Sequence, residues 1–143
     1  MELLQGEAHR SGFTLAPEAA TERMREIINK PVSTAQLLET ARAIYARGWH
    51  TIKLYFMIGH PTETDEDVEA IARLSLAVLR RGRTVQPRAG VNVGVSTFVP
   101  KPFTPFQWER QISMDETRHK QSILRRMLQV SGVKLRTHEA ENS

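Results

Sequence analysis

The sequence contains no cysteine. That absence excludes disulfides, thiol nucleophiles and zinc–thiolate sites, and with them any iron–sulfur cluster held by thiolates of this chain. Long apolar runs are also missing. No window approaches the ~20 apolar residues that span a bilayer, and the amino terminus MELLQGEAHR lacks the basic-then-apolar order of a secretory signal. A cytoplasmic protein with no membrane partner is expected. The histidines (His9, His50, His60, His119, His138) show no paired spacing such as HxxxH, so no metal site is expected. A strong charge of either sign is lacking too: the net +4 comes from Lys and Arg scattered over helical stretches, with small clusters at Arg80, Arg81, Arg83 and at Arg118, Lys120, Arg125, Arg126. Solvated helix faces account for that excess, and weak affinity for RNA is the alternative.

The 143 residues suffice for one ordinary domain of ~100–150 residues. A full β/α barrel takes ~250, so at most half a barrel fits. Three strand-then-helix units are legible. Phe13–Ala16 reads as a short strand, with Pro17 at the first position of a helix whose apolar side is Met24, Ile27 and Ile28 and which Pro31 ends. Ser33 and Gln36 form a capping box. Leu37, Leu38, Ala41, Ile44 and Tyr45 then share one helical stripe up to Gly48. Ile52–Ile58 is a nearly continuous apolar strand that breaks at Gly59 and Pro61 and restarts as a helix after Thr64. Val68, Ile71, Ala72, Val78 and Leu79 stripe that helix, and Gly82 is read as its end. In the third strand Val91, Val93, Val95 and Thr97 alternate with Asn92, Gly94 and Ser96. A loop from Pro100 to Trp108 follows, its aromatics Phe103, Phe106 and Trp108 placed to cover the mouth of a site. A second capping box at Ser113 and Glu116 is expected to open the last helix, and Val133–Arg136 forms one further strand. The expected fold is α/β, a partial TIM-like barrel of about three parallel units plus a short terminal strand.

In such folds ligand chemistry gathers at the carboxyl ends of strands. Glu18 and Thr21 sit at the first strand-to-helix junction, although Glu18 also reads as an acidic residue favoured in a first helical turn. In the central strand, if Ile52, Leu54, Phe56 and Ile58 face the helices, then Lys53, Tyr55 and Met57 face the lumen, joined by Asn92, Gly94 and Ser96. An ordinary barrel fills its lumen with bulky aliphatics; this polar and small set leaves space. The alternative is that Lys53 only snorkels past the strand end.

The blocks SGFTLAPEAATERMREIINKPVS, GWHTIKLYFMIGHPTETDEDVE and VNVGVSTFVPKPFTPFQW, with the tail VKLRTHEAENS, resemble in order and spacing the second half of a radical S-adenosylmethionine (SAM) barrel, in its cobalamin-domain-associated subgroup. The resemblance implies that residues 1–143 are the carboxyl-terminal half of the catalytic barrel, truncated at both ends. It implies a SAM pocket built by Glu18, Thr21 and Lys30 with Ile58, Gly59, Phe98 and Val99 around the adenine, and a substrate lumen at Lys53, Tyr55, Met57, Asn92 and Ser96. Lys30 also reads as a lysine stabilising a helix C-terminus. Two departures stand out: Ala20 replaces the family's usual glycine, and His60 replaces a leucine or phenylalanine, as a tolerated exposed substitution or a catalytic histidine. Intact members bind a [4Fe-4S] cluster on a CxxxCxxC loop, and one electron from it cleaves SAM to a 5′-deoxyadenosyl radical that abstracts a substrate hydrogen. This chain has no such loop and is expected to be inactive alone. Its expected partners are a missing amino-terminal half barrel or another copy of itself. A non-catalytic RNA-binding or half-barrel interaction module is the rival function.

Overall fold

The computed structural model describes residues 12–28, 30, 32–60, 62–97 and 107–139. The elements are β1 (Phe13–Glu18), α1 (Glu22–Ile27), α2 (Thr34–Ala46), β2 (Thr51–Ile58), α3 (Asp65–Arg83), β3 (Gly90–Thr97), α4 (Gln107–Met127) and β4 (Val133–Glu139). All strand pairs are parallel, and the sheet order is β1-β2-β3-β4. Parallel neighbours require crossover helices, and crossovers of one hand between consecutive strands carry every helix to the same face. The result is an arc of a β/α barrel with helices outside and an open inner face, as the sequence predicts.

Alternation along the strands decides which residues meet the helices. Ile52, Leu54, Phe56, Ile58, Val91, Val93 and Val95 are each at most 2% exposed. They pack with Tyr45 of α2, Val68, Ile71 and Val78 of α3, and Leu124 of α4. Fully burying side chains of this size stabilises by about 1.5–3 kcal/mol each, so this layer dominates the fold. Helix α3 is central, lying against α2, α4, β2 and β3. Its expected stripe of Val68, Ile71, Ala72, Val78 and Leu79 is buried. The Ser33–Gln36 capping box of α2 is present, and Thr64 caps α3 with Asp67 as the reciprocal partner.

Four sequence expectations change. Pro17 lies inside β1, and the helix waits until Glu22 with Thr21 as its N-cap. Among the described residues β1 is an edge strand, and its pairing with β2 shifts between Leu15 and Glu18; an edge bulge is where a strand tolerates a residue without an N–H. Glu18 is therefore a strand residue and takes no part in a helical turn. Gly82 lies within the last turn of α3 and serves close packing: a Cβ there would come within 2.5 Å of the Tyr45 ring. The last helix begins at Gln107, so Ser113 is inside it. On α1 only Met24 of the expected apolar side is deeply buried, while Ile27 is 43% exposed. Pro31 and the loop residues 98–106 lie outside the described residues.

Candidate functional site

The carboxyl ends of β1 and β2 carry the residues to which the sequence points. Glu18 ends β1 with φ at 63°, in the left-handed region that side chains other than glycine seldom adopt. Its carboxylate stands 3.2 Å from the Lys30 ammonium, and both side chains are partly exposed, 39% and 45%. Lys30 also donates to the Ala16 carbonyl at 3.3 Å. Because α1 stops at Ile27, Lys30 lies beyond the helix and its ammonium returns to β1. Two charged residues that the resemblance assigns to one pocket thus meet, presenting a carboxylate and an ammonium side by side at a strand end.

Thr21 is more constrained. Its hydroxyl accepts from the Met24 amide at 3.2 Å as the N-cap of α1 and donates to Asp67 Oδ1 at 3.0 Å. That uses its one proton and leaves a single lone pair for any ligand. Asp67 is the hub of this corner, accepting from the Thr64 amide at 2.9 Å, the Thr64 hydroxyl at 3.0 Å and the Arg23 guanidinium. Burial alone would raise its pKa. The hydrogen bonds from Thr64 and Thr21, with the Arg23 contact, outweigh burial and hold the carboxyl below its ordinary range.

Gly59 turns the chain out of β2 with φ at 95°. Its N–H donates to Glu63 Oε1 at 2.8 Å, and the same oxygen accepts from Lys120 Nζ at 2.9 Å. Ile58 faces the helices and is fully buried, so its side chain belongs to the core. Beside it in register Thr97 is buried, its hydroxyl without a hydrogen-bond partner among the described residues. Phe98 and Val99, the other half of the expected adenine pocket, lie outside the described residues. His60 Nδ1 lies 3.0 Å from the Thr62 hydroxyl and 3.2 Å from its amide, within the loop itself.

The inner face follows the expected parity. Lys53, Tyr55 and Met57 stand in register with Asn92, Gly94 and Ser96. Tyr55 and Met57 are each 42% exposed, in contrast to their buried neighbours. A cavity of about 230 Å³ opens here, lined by Lys53, Tyr55, Asn92 and two residues of β4, Lys134 and Arg136.

The family model described as the radical SAM superfamily matches residues 3–75 of the 143, from before β1 into α3. The chain belongs to the radical SAM superfamily. It is similar to an uncharacterized protein of Methanocaldococcus jannaschii, 38% identical over 97 residues that cover 68% of this chain and 20% of that protein. The chain therefore spans about a fifth of the length of the curated relative it matches. No solved structure matches.

Membership in the superfamily implies a [4Fe-4S] cluster and SAM in intact members, and the two groups fare differently here. The cluster does not fit, since there is no cysteine to ligate it. The polar end of SAM does fit the residues at β1: an amino group suits the Glu18 carboxylate and a carboxylate suits the Lys30 ammonium. No helix among the described residues of this radical SAM chain is long and apolar enough to cross a membrane.

Several residues of this corner escaped sequence reasoning. Arg25 reads as a solvated helical charge but is 1% exposed. It donates to the carbonyls of Ala19, Ala20 and Val32 and to the Thr34 hydroxyl, tying the β1–α1 turn to the start of α2. Burial lowers its pKa. Lys120, counted in a basic surface cluster, is buried against Glu63, and Arg83 of the other cluster donates to the Ser131 carbonyl. Lys134 and Arg136 had a sequence signal, the alternation of the terminal strand, which places them opposite Val133 and Leu135.

Proposed function

We propose that this chain forms the SAM-orienting and substrate-facing portion of a radical SAM enzyme. The observation that carries the reading is the Glu18–Lys30 pair: a carboxylate on a left-handed residue at the carboxyl end of a barrel strand, with an ammonium 3.2 Å away. Backbone in a sparsely populated conformation costs about 1–3 kcal/mol, persists only where the surrounding structure imposes it, and clusters at ligand sites. The Glu18 carboxylate would take the amino group or ribose hydroxyls of SAM, and Lys30 its carboxylate. Thr21 has one lone pair to offer, and Gly59, with no side chain, lets a flat ring approach. Bound SAM supplies the radical chemistry once reduced; the protein's part is binding, orientation and exclusion of water.

The thiolates for the cluster come, on this reading, from outside these 143 residues, and the chain alone does not cleave SAM. The order of the sequence blocks supports the cobalamin-domain-associated subgroup, and a cytoplasmic setting belongs to the same reading. An amino-terminal half barrel is the partner we favour, because among the described residues β1 and β4 have one strand neighbour each and Tyr55 and Met57 of the inner face are exposed. Lys53, Tyr55, Met57, Asn92 and Ser96 would then line the substrate lumen.

Calorimetry on the chain combined with an amino half carrying a CxxxCxxC loop tests this. SAM should bind, and Glu18→Ala should weaken it by about 1.5 kcal/mol, the lower end for a hydrogen bond to a charged group because the site is partly exposed. Thr21→Val should cost less. Arg73→Ala, on the far surface of α3, should change nothing. Equal affinity for wild type and Glu18→Ala would remove the site.

A further inference from the structure

The open face carries positive charge that none of the described residues neutralises. In register Lys53 stands beside Asn92 and Asn92 beside Lys134; two residues on, Tyr55 stands beside Gly94 and Gly94 beside Arg136. These two rows of three line the cavity of about 230 Å³. None of the three cations forms an ion pair among the described residues. On β1 the same face shows Thr14 next to Lys53 in register, so among the described residues β1 places no carboxylate beside Lys53. Strands about 4.8 Å apart place the backbones of Lys53 and Lys134 about 10 Å from each other, with Asn92 between them.

The floor between the cations is shaped for an occupant. Gly94 contributes bare backbone, and the Tyr55 ring leans over it: a Cβ on Gly94 would meet two ring carbons at 2.8 Å. The ring keeps 42% of the residue's surface exposed, an amphipathic wall beside three donors. Enclosing three cations in a lumen is costly unless an anion accompanies them, because like charges repel more strongly once water is excluded.

We propose that this face binds an elongated small molecule by a terminal oxyanion, a phosphate or a carboxylate, held by Lys53, Lys134 and Arg136, with its body against Tyr55. This rests on reading the inner face as the substrate lumen, and it names the class of substrate. The strand rise of about 3.3 Å per residue sets its length: from the Lys53 row to the Met57 row at the strand ends is about 13 Å. A substrate anchored by its anionic end would thus present its far end beside Met57 and Ser96. A small molecule is favoured over nucleic acid because the cations converge on one cavity. The Arg80, Arg81 and Arg83 cluster lies on a helix of the opposite face.

The test is a nitrogen-15 NMR titration of the full chain with phenyl phosphate, with benzoate, and with phenol as the neutral probe. Saturable shifts at the Gly94 and Arg136 amides with an anion and none with phenol are expected. Tighter binding of phenyl phosphate identifies a phosphate ester as the substrate class, and tighter binding of benzoate a carboxylic acid. Lys53→Gln, Lys134→Gln and Arg136→Gln should each weaken binding about three- to fivefold, the scale of a solvent-accessible ion pair. The triple variant should lose saturation, and Arg73→Gln should match wild type. If the triple variant loses its dispersed spectrum, the salt dependence of wild-type binding decides instead: shifts that persist undiminished at high salt overturn the proposal. So do the absence of a saturable shift with either anion, an unchanged response in a folded triple variant, and displacement of phenyl phosphate by single-stranded RNA with a many-phosphate salt slope. SAM titrated with the amino half present reports at the Glu18 and Lys30 amides, so loss of oxyanion binding with SAM binding intact overturns this inference alone. The converse overturns the SAM site alone.

Discussion

Lys120 and Glu63 form an ion pair of 2.9 Å in which the two side chains are only 7% and 3% exposed. The same Glu63 oxygen accepts the Gly59 N–H, so the pair ties α4 to the turn that leaves β2. Removing one partner strands a buried charge, and such losses cost about 3–5 kcal/mol. Lys120→Met should therefore lower the urea midpoint strongly, and adding Glu63→Gln should recover part of the loss. A Lys120→Met protein within about 0.5 kcal/mol of wild type would show that the pair is not closed in solution.

Asp67 makes stability depend on pH. Its folded-state pKa lies below the ordinary value, because hydrogen bonds from Thr64, Thr21 and Arg23 outweigh the opposing effect of burial. The unfolded chain therefore binds a proton at higher pH than the folded one. The stabilisation is fully present above the ordinary carboxylate value and disappears as pH falls through the lower folded value. Asp67→Asn should remove that part of the acid limb and cost about 1–3 kcal/mol at neutral pH, because one of the two acceptor oxygens becomes an NH2 donor and Arg23 loses the charge it faces. Urea melts at a series of pH values measure both; an acid limb identical in wild type and variant would exclude Asp67 as its source.

Two glycines approach tyrosine rings and should answer unequally to the same substitution. A Cβ on Gly82 would lie 2.5 Å from the Tyr45 ring. That ring is 1% exposed, and its hydroxyl donates to the Gly90 carbonyl at 2.6 Å; burial raises its pKa. It has nowhere to move, so Gly82→Ala should destabilise by about 1–3 kcal/mol even though alanine is the better helix former. Gly94→Ala meets the exposed Tyr55 ring, which can swing aside, and should cost under about 1 kcal/mol while shifting the Tyr55 ring resonances. Equal costs would mean that Tyr55 is as fixed as Tyr45.

Glu18 offers a separation of stability from function. Its left-handed backbone suits glycine, and its pair with Lys30 is partly exposed and worth little. Glu18→Gly should raise stability by about 0.5–1 kcal/mol while weakening SAM binding in the complemented protein as much as Glu18→Ala. A glycine variant that is both more stable and fully competent for SAM would assign the strain to the turn alone.

Among the described residues β1 and β4 each have one strand neighbour, and the inner face exposes Tyr55 and Met57. Unpaired parallel edges and an uncovered face favour association. Sedimentation should show dimers or larger species that dissociate when an amino half barrel is supplied. A clean monomer at high concentration would show that the edges are covered.

The order of elements and the choice of core were legible in the sequence because they rest on local periodicity. Alternation in β3 and the stripe of Val68, Ile71 and Leu79 each report a face without reference to any distant residue. The capping box at Ser33 and the helix start after Thr64 were as local, although the reciprocal Thr64–Asp67 box was not read, whereas Ser113 fits the capping motif and lies inside α4 because the helical pattern upstream continues through it. What pairs across the fold was not legible. Arg25 looks like any helical arginine until the β1–α1 turn and the start of α2 deliver four acceptors around it. Lys120 and Glu63 are 57 residues apart, and Gly82 reads as a terminator until Tyr45 lies against it. The alignment of Lys53 with Lys134 across Asn92, with Arg136 two residues on, follows from the parallel register of the strands, and the Glu18–Lys30 contact from the return of the chain after α1 to β1. Periodicity assigns a residue to a face, but only the long-range pairing of strands decides which side chains become neighbours on it.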